Sequence, residues 1–105
     1  MSNDGFNDRK KGFEAKYQHD QETQFKIMAR RNKLLGLWAA EQMGLGGADA
    51  ESYAKEVIVA DFEEAGDDDV LRKVLGDLTD KGLSLDEKAV RNEMDSLVST
   101  ATDQV

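Results

Sequence analysis

The distribution of helix breakers constrains the fold of this chain more than any other feature. The 105 residues contain no proline, so glycine is the only strong breaker that remains. Between Gly12 and Met43 the only further glycine is Gly36, and this stretch holds the single tryptophan and four of the seven aromatic residues. A segment of this length without a terminator favours one long α-helix.

Apolar spacing divides the rest of the chain into three shorter helices. Glycines at 44–47, at 66 and at 82 separate segments whose apolar residues recur at intervals of three and four, which is typical of one buried helix face. No segment alternates in the way that strands do. We therefore predict an all-α four-helix bundle over residues 18–105, with helices at about 18–43, 49–65, 68–81 and 85–102 and with short connections. We expect Asp49 to cap the second helix, and Ser84 with Glu87 to form a capping box on the fourth.

The first helix is too long for its partners to cover. At 1.5 Å per residue the three shorter helices are roughly 20–27 Å long, whereas a helix from Tyr17 to Met43 is about 40 Å long. Its dense apolar stripe begins near Ile27, and upstream only Phe13, Tyr17 and Phe25 are large and apolar. We expect residues 1–17 to form a mobile N-terminal arm that is suited to binding a partner. Gly36, inside the dense stripe, predicts a close helix crossing.

The composition argues against catalysis and metal binding. There is no cysteine and only one histidine, His19, which we expect to be solvated, so a zinc site is not expected. The run Asp67–Asp69 lacks the spacing of a calcium loop and suits a helix N-terminus. Because no nucleophile has a neighbouring base, we expect no enzyme activity, no catalytic residues and no cofactor.

Charge is divided unevenly along the chain. The net charge is −8; residues 1–43 carry eight bases and six acids (+2), and the remainder carries six bases and sixteen acids (−10). Nucleic acid is therefore not an expected partner. No apolar run is long enough to insert in a membrane and no signal peptide is evident, so we expect a cytoplasmic protein. The basic run at residues 30–33 has two interpretations: a solvated helix face, or a cation cluster for an acidic protein surface or a nucleotide phosphate.

Several strings in this chain resemble one known family. They are FEAKYQHD at 13–20, QFK at 24–26 and ARRNKLLGLWAA at 29–40, with a looser match over 53–78. Together they resemble the ζ-type inhibitor subunit of the F1FO-ATP synthase of α-proteobacteria. The third string is long and specific, and the likeness extends over nearly the whole chain.

The resemblance implies a non-enzymatic inhibitor of ATP hydrolysis. In this family the N-terminal segment is thought to insert into an α/β catalytic interface of F1, next to the central stalk subunit γ. The implied protein is a monomer when free and is peripheral to the inner membrane through F1. The partner-binding residues carried over are Phe13, Lys16, Tyr17, Asp20 and Phe25, with Arg30 and Arg31 at the base of the arm.

Two alternative functions remain open from the sequence. One is a small nucleotide-binding regulator, in which Arg30, Arg31, Lys33 and the Trp38 region bind ATP or ADP weakly. The other is a generic helical adaptor for an unrelated partner, which only the amphipathic, aromatic-bearing arm supports.

Overall fold

The protein is an all-α bundle of four helices. The computed structural model describes residues 2–62 and 66–105, with side chains from residue 21 onward. The helices are α1 (Ser2–Gln42), α2 (Gly47–Ala60), α3 (Asp68–Asp80) and α4 (Glu87–Gln104). The predicted fold class is therefore confirmed. The predicted limit between arm and bundle, at residues 17 and 18, falls outside the part of the chain whose side chains are described.

The core begins partway along α1. Residues 21–26 are almost entirely exposed, and Ile27 is the first buried side chain among those described. From there α1 packs mainly against α2 and α4 and makes a smaller contact with α3. The dense apolar stripe predicted from Ile27 onward is thus the part of α1 that the other helices cover. Its partners in the central cluster are Tyr53, Val57, Val70, Leu71, Val74, Leu78, Val90 and Met94.

Gly36 lies where α1 and α2 approach most closely. A Cβ atom at this position would lie 2.6 Å from the Cα of Ala54 and 3.3 Å from a methyl carbon of Val57. Any larger residue would have to push the two helices apart, since the nearest atom belongs to the backbone. The predicted close crossing is confirmed.

Two glycines end their helices as predicted. Gly44 and Gly82 have φ values of 77° and 78°. After α1 the N–H of Leu45 donates to the carbonyl of Ala40, and after α3 the N–H of Leu83 donates to the carbonyl of Leu78. Hydrogen bonds of this kind, from an N–H to the carbonyl five residues earlier, are those of the Schellman motif, which satisfies the last carbonyls of a helix.

The predicted helix caps are wrong. Gly46 occupies the N-cap position of α2 without a side-chain bond, and Asp49 lies in the first turn. In α4 the N-cap is Asp86, whose Oδ1 accepts from the N–H of Ala89 at 2.9 Å. The helix therefore starts after Asp86, and Glu87 is its first residue, whereas the capping box predicted Glu87 as the third helical residue after an N-cap at Ser84.

α2 ends earlier than the apolar spacing predicts. Its last helical residue is Ala60, and the N–H of Phe62 donates back to the carbonyl of Val59 in a tightened turn. The helix predicted at about 49–65 included Phe62. Because the helix has ended, its ring instead projects into solvent and is 67% exposed. Residues 63–65, which the prediction included in the helix, lie outside the described residues.

Candidate functional site

Two exposed aromatic rings meet where α1 emerges from the bundle. Phe25 on α1 is 62% exposed and Phe62 after α2 is 67% exposed. Their ring centroids are 6.4 Å apart with the planes inclined at 32°. The pair forms an apolar surface that the bundle itself does not cover.

A solvent-open groove of about 530 Å³ adjoins Phe25. We call it the basic groove. Its walls come from α1, α2 and the end of α4, and they are Phe25, Lys26, Ala29, Arg30, Lys33, Ile58, Gln104 and Val105. Three of these side chains are cationic and none is acidic. Among the described residues, neither Lys26, Arg30 nor Lys33 makes an ion pair.

Arg31 points away from this groove into the protein. Its side chain is almost fully buried, and its Nη2 lies 2.7 Å from Oδ1 of Asp67 while Nη1 lies 3.5 Å from Oδ2. Its Nε also donates to Oδ1 of Asn32 at 2.9 Å. Asp67 is the N-cap residue of α3, so this pair ties α1 to the start of α3. The basic run at 30–33 therefore divides, with Arg30 and Lys33 on the groove and Arg31 in a structural ion pair.

A small cavity of about 30 Å³ lies beneath the two phenylalanine rings. Asn32 and Asp61 border it, and the amide Nδ2 of Asn32 is buried without a well-formed hydrogen bond to any described residue. Burial raises the pKa of Asp61, the Asn32 amide lowers it, and the carboxylates of Asp69 and Asp67 raise it further. The net effect is upward because the loss of hydration outweighs the contribution of the amide.

A second polar network joins α2 to α3. The hydroxyl of Tyr53 donates to Oδ2 of Asp77 at 2.7 Å, and Lys73 Nζ lies 3.1 Å from the same oxygen. Lys73 also lies 5.2 Å from the centre of the Tyr53 ring and 3.5 Å from Glu56. Burial, helped by the bond to Asp77, raises the pKa of Tyr53. The phenol therefore stays protonated, and the network serves to hold the two helices together.

The predicted partner-binding residues fall into three groups. Phe25 and Arg30 lie together on the basic groove, whereas Arg31 is buried away from it. The remaining predictions, Phe13, Lys16, Tyr17 and Asp20, lie outside the residues whose side chains are described, as does His19. Sequence reasoning missed Phe62 as the surface partner of Phe25; the signal was an aromatic residue close to a glycine at which a helix has to end.

Neither metal-binding nor membrane-spanning features occur in the described part of the chain. No group of three or more His, Asp or Glu side chains there is arranged to hold a metal ion. None of its helices combines the length and the apolar character that crossing a membrane requires.

One comparison with known proteins identifies a family. A family model described as ATPase inhibitor subunit zeta matches residues 1–104. A solved solution NMR structure is 54% identical in sequence, covers 77% of this chain and 92% of its own, and superposes with a TM-score of 0.70. A comparison with curated proteins found no match. Since the family model spans nearly the whole sequence, this chain belongs to the ATPase inhibitor subunit zeta family.

Proposed function

We propose that this protein inhibits ATP hydrolysis by the F1FO-ATP synthase by inserting its N-terminal segment, residues 1–17, into an α/β catalytic interface of F1 next to subunit γ. Membership of the inhibitor family supports the inhibition. The observation that supports the insertion is that the bundle's core starts only at Ile27, so that residues 21–26 are left uncovered ahead of it. In this proposal the free protein is a monomer and binds, through F1, at the cytoplasmic side of the inner membrane.

The inhibition follows from the way that rotary catalysis works. Each α/β interface must open and close in turn, and a helical segment held in one interface opposes that change. A segment can shift such an equilibrium only by as much as its affinities for the two states differ. Tight binding to one catalytic state and weak binding to the others therefore stalls the cycle.

The predicted residues take different roles in this proposal. On the inserted segment Phe13 and Tyr17 are apolar anchors and Lys16 is a charged contact, while Asp20 and Phe25 contact F1 just after that segment. Aromatic anchors with a charged surround are typical of the few residues that dominate an interface. Arg31 acts at a distance, because its pair with Asp67 fixes the helix from which the segment extends.

An ATP hydrolysis assay tests the proposal. F1 from the same organism is titrated with the full chain, and we expect saturable inhibition. Replacing Phe13 and Tyr17 together by Ala should raise the half-inhibitory concentration about tenfold or more. Lys88→Ala, on the exposed surface of α4, is the matched control and should leave it unchanged. Absence of inhibition by the full chain at saturation contradicts the proposal.

Nucleotide binding is a second candidate function, which the basic groove favours. Its cations Lys26, Arg30 and Lys33 suit a phosphate chain, and Phe25 offers a stacking face. Trp38 is partly buried against the core and does not line this groove. Titration with ATP or ADP should shift amide NMR signals around the groove. Uniform small shifts over the whole chain at millimolar nucleotide would remove this candidate.

A further inference from the structure

We propose that the basic groove and the Phe25–Phe62 pair form a second contact surface for the ATP synthase, which receives an apolar side chain flanked by carboxylates. This contact is separate from the inserted segment and rests on the proposed function. Its role is to hold the bundle against the enzyme and to slow dissociation.

The exposed rings are the first argument. Burying a phenylalanine side chain is strongly favourable, yet this protein leaves two of them adjacent and more than 60% exposed. Single exposed apolar residues are ordinary, but neighbouring aromatic ones on a small domain mark an interaction surface. Phe62 comes from a different segment than Phe25, so the surface is built by the folded bundle and not by α1 alone.

Charge complementarity identifies the occupant. The groove presents the cationic side chains of Lys26, Arg30 and Lys33 and no acidic side chain, in a chain whose residues 44–105 carry a net charge of −10. None of the three cations is paired with another described residue, so each is free to bond to a carboxylate from outside. Charge-assisted bonds of this kind direct association and fix the register of an interface.

The volume of the groove limits the occupant further. A space of about 530 Å³ is large enough to accept one or two large side chains. The fitting partner is therefore a protruding apolar side chain on an acidic surface element. Val105 and Ile58 line the floor beside Phe25 and supply the apolar contact.

The position of the groove favours the ATP synthase over two other acidic occupants, an anionic lipid surface and a second copy of this chain. The groove lies on α1, a few residues after the segment that we propose is inserted. Insertion would hold the groove beside the enzyme surface at high effective concentration, which makes a second weak contact useful.

The test compares full-length variants for binding to F1 and for residual ATP hydrolysis at saturation. Phe62→Ala should weaken binding about tenfold, mainly through faster dissociation, and leave the residual hydrolysis at saturation equal to wild type. Val59→Ala removes an equally exposed apolar side chain outside the groove and should change affinity less than twofold. Thermal melts followed by circular dichroism confirm that both variants are folded.

Two double variants of basic residues test whether the occupant is acidic. Arg30→Gln with Lys33→Gln should slow association and reduce its dependence on salt, whereas Lys55→Gln with Lys88→Gln, at exposed positions outside the groove, should do neither.

Unchanged affinity of Phe62→Ala overturns the second contact, while inhibition by the wild type leaves the proposed function intact. The inference is equally overturned if Phe62→Ala loses only self-association in sedimentation, or only binding to phosphatidylglycerol vesicles. Failure of the wild type to inhibit at all identifies the proposed function as the part that is wrong.

Discussion

Arg31 shows how one buried cation can fix the orientation of a helix. Its guanidinium is inside the protein, and its charge is balanced by Asp67, whose side chain is 45% exposed. Asp67 makes no side-chain cap bond to α3, so its contribution to stability comes chiefly from this pair. Removing Asp67 costs more stability than the ion pair contributes, because the charge of Arg31 then stays buried without its partner.

Asp67→Ala should therefore destabilise the protein by about 1–3 kcal/mol, which allows for the partial exposure of the carboxylate. Asp68→Ala is the matched control, because Asp68 is the next residue along the chain and lies in the first turn of α3. Its side chain is 77% exposed, and its ion pair with Arg91 is longer, at 3.5 Å. We expect its loss to cost less than about 0.5 kcal/mol. Urea denaturation at pH 7 measures both. Equal effects would show that the helix N-terminus, and not the pair with Arg31, explains the loss.

Asp61 makes a prediction about pH. Its pKa in the folded protein is raised above the ordinary value of 3.8, first by burial, so the folded state holds this proton more tightly than the unfolded state does. Stability from this group is then greatest below the unfolded pKa and is lost as pH rises through the folded pKa. Asp61→Asn removes the buried charge and should raise the melting temperature at pH 7, with the difference shrinking towards pH 3. An equal gain in melting temperature at pH 7 and at pH 3 would contradict the raised pKa of Asp61.

At the scale of the helices, Gly36 and Gly76 offer a direct comparison. Both lie inside helices, but a Cβ at Gly36 would meet the backbone of Ala54 at 2.6 Å, whereas a Cβ at Gly76 would meet nothing within 4 Å. Gly36→Ala should destabilise by about 1–3 kcal/mol through overpacking. Gly76→Ala should stabilise by about 0.5–1 kcal/mol through helix propensity. Chemical denaturation gives both values, and a stabilising effect of Gly36→Ala like that of Gly76→Ala would show that the crossing is not tight.

The start of α4 gives a second comparison between neighbouring residues. Asp86→Ala removes the acceptor for the N–H of Ala89 and should cost about 1 kcal/mol. Ser84→Ala should cost little, because the helix does not begin at Ser84. If thermal melts ranked the two in the opposite order, α4 would start where the capping-box pattern placed it.

Patterns that act over short distances were the predictable part of this fold. The stripe of α3 and the ends at Gly44 and Gly82 followed from spacing and backbone conformation, both of which are local. Caps were harder, since several polar residues near each helix start offer similar energies and packing chooses among them. The exposure of Phe62 depends on a helix that ends two residues earlier, and the burial of Arg31 depends on Asp67, 36 residues away. Neither can be read from periodicity.

At the scale of the whole molecule, α1 joins two parts with different composition. From Ile27 onward it is packed into an acidic bundle, whereas residues 21–26 are mostly exposed and, apart from Phe25, polar. The net charge divides at a different point, the end of α1, with +2 on residues 1–43 and −10 on the remainder. We interpret the bundle as the anchor and the N-terminal segment as the part that acts on the enzyme.

Deletion of residues 1–19 tests this division most directly. Since every described core residue lies at Ile27 or beyond, the shortened chain should keep the helical circular dichroism and cooperative melting of the bundle. It should nevertheless lose inhibition of ATP hydrolysis by F1 at concentrations where the full chain saturates. A folded, shortened chain that inhibits as strongly as the full chain would contradict the account.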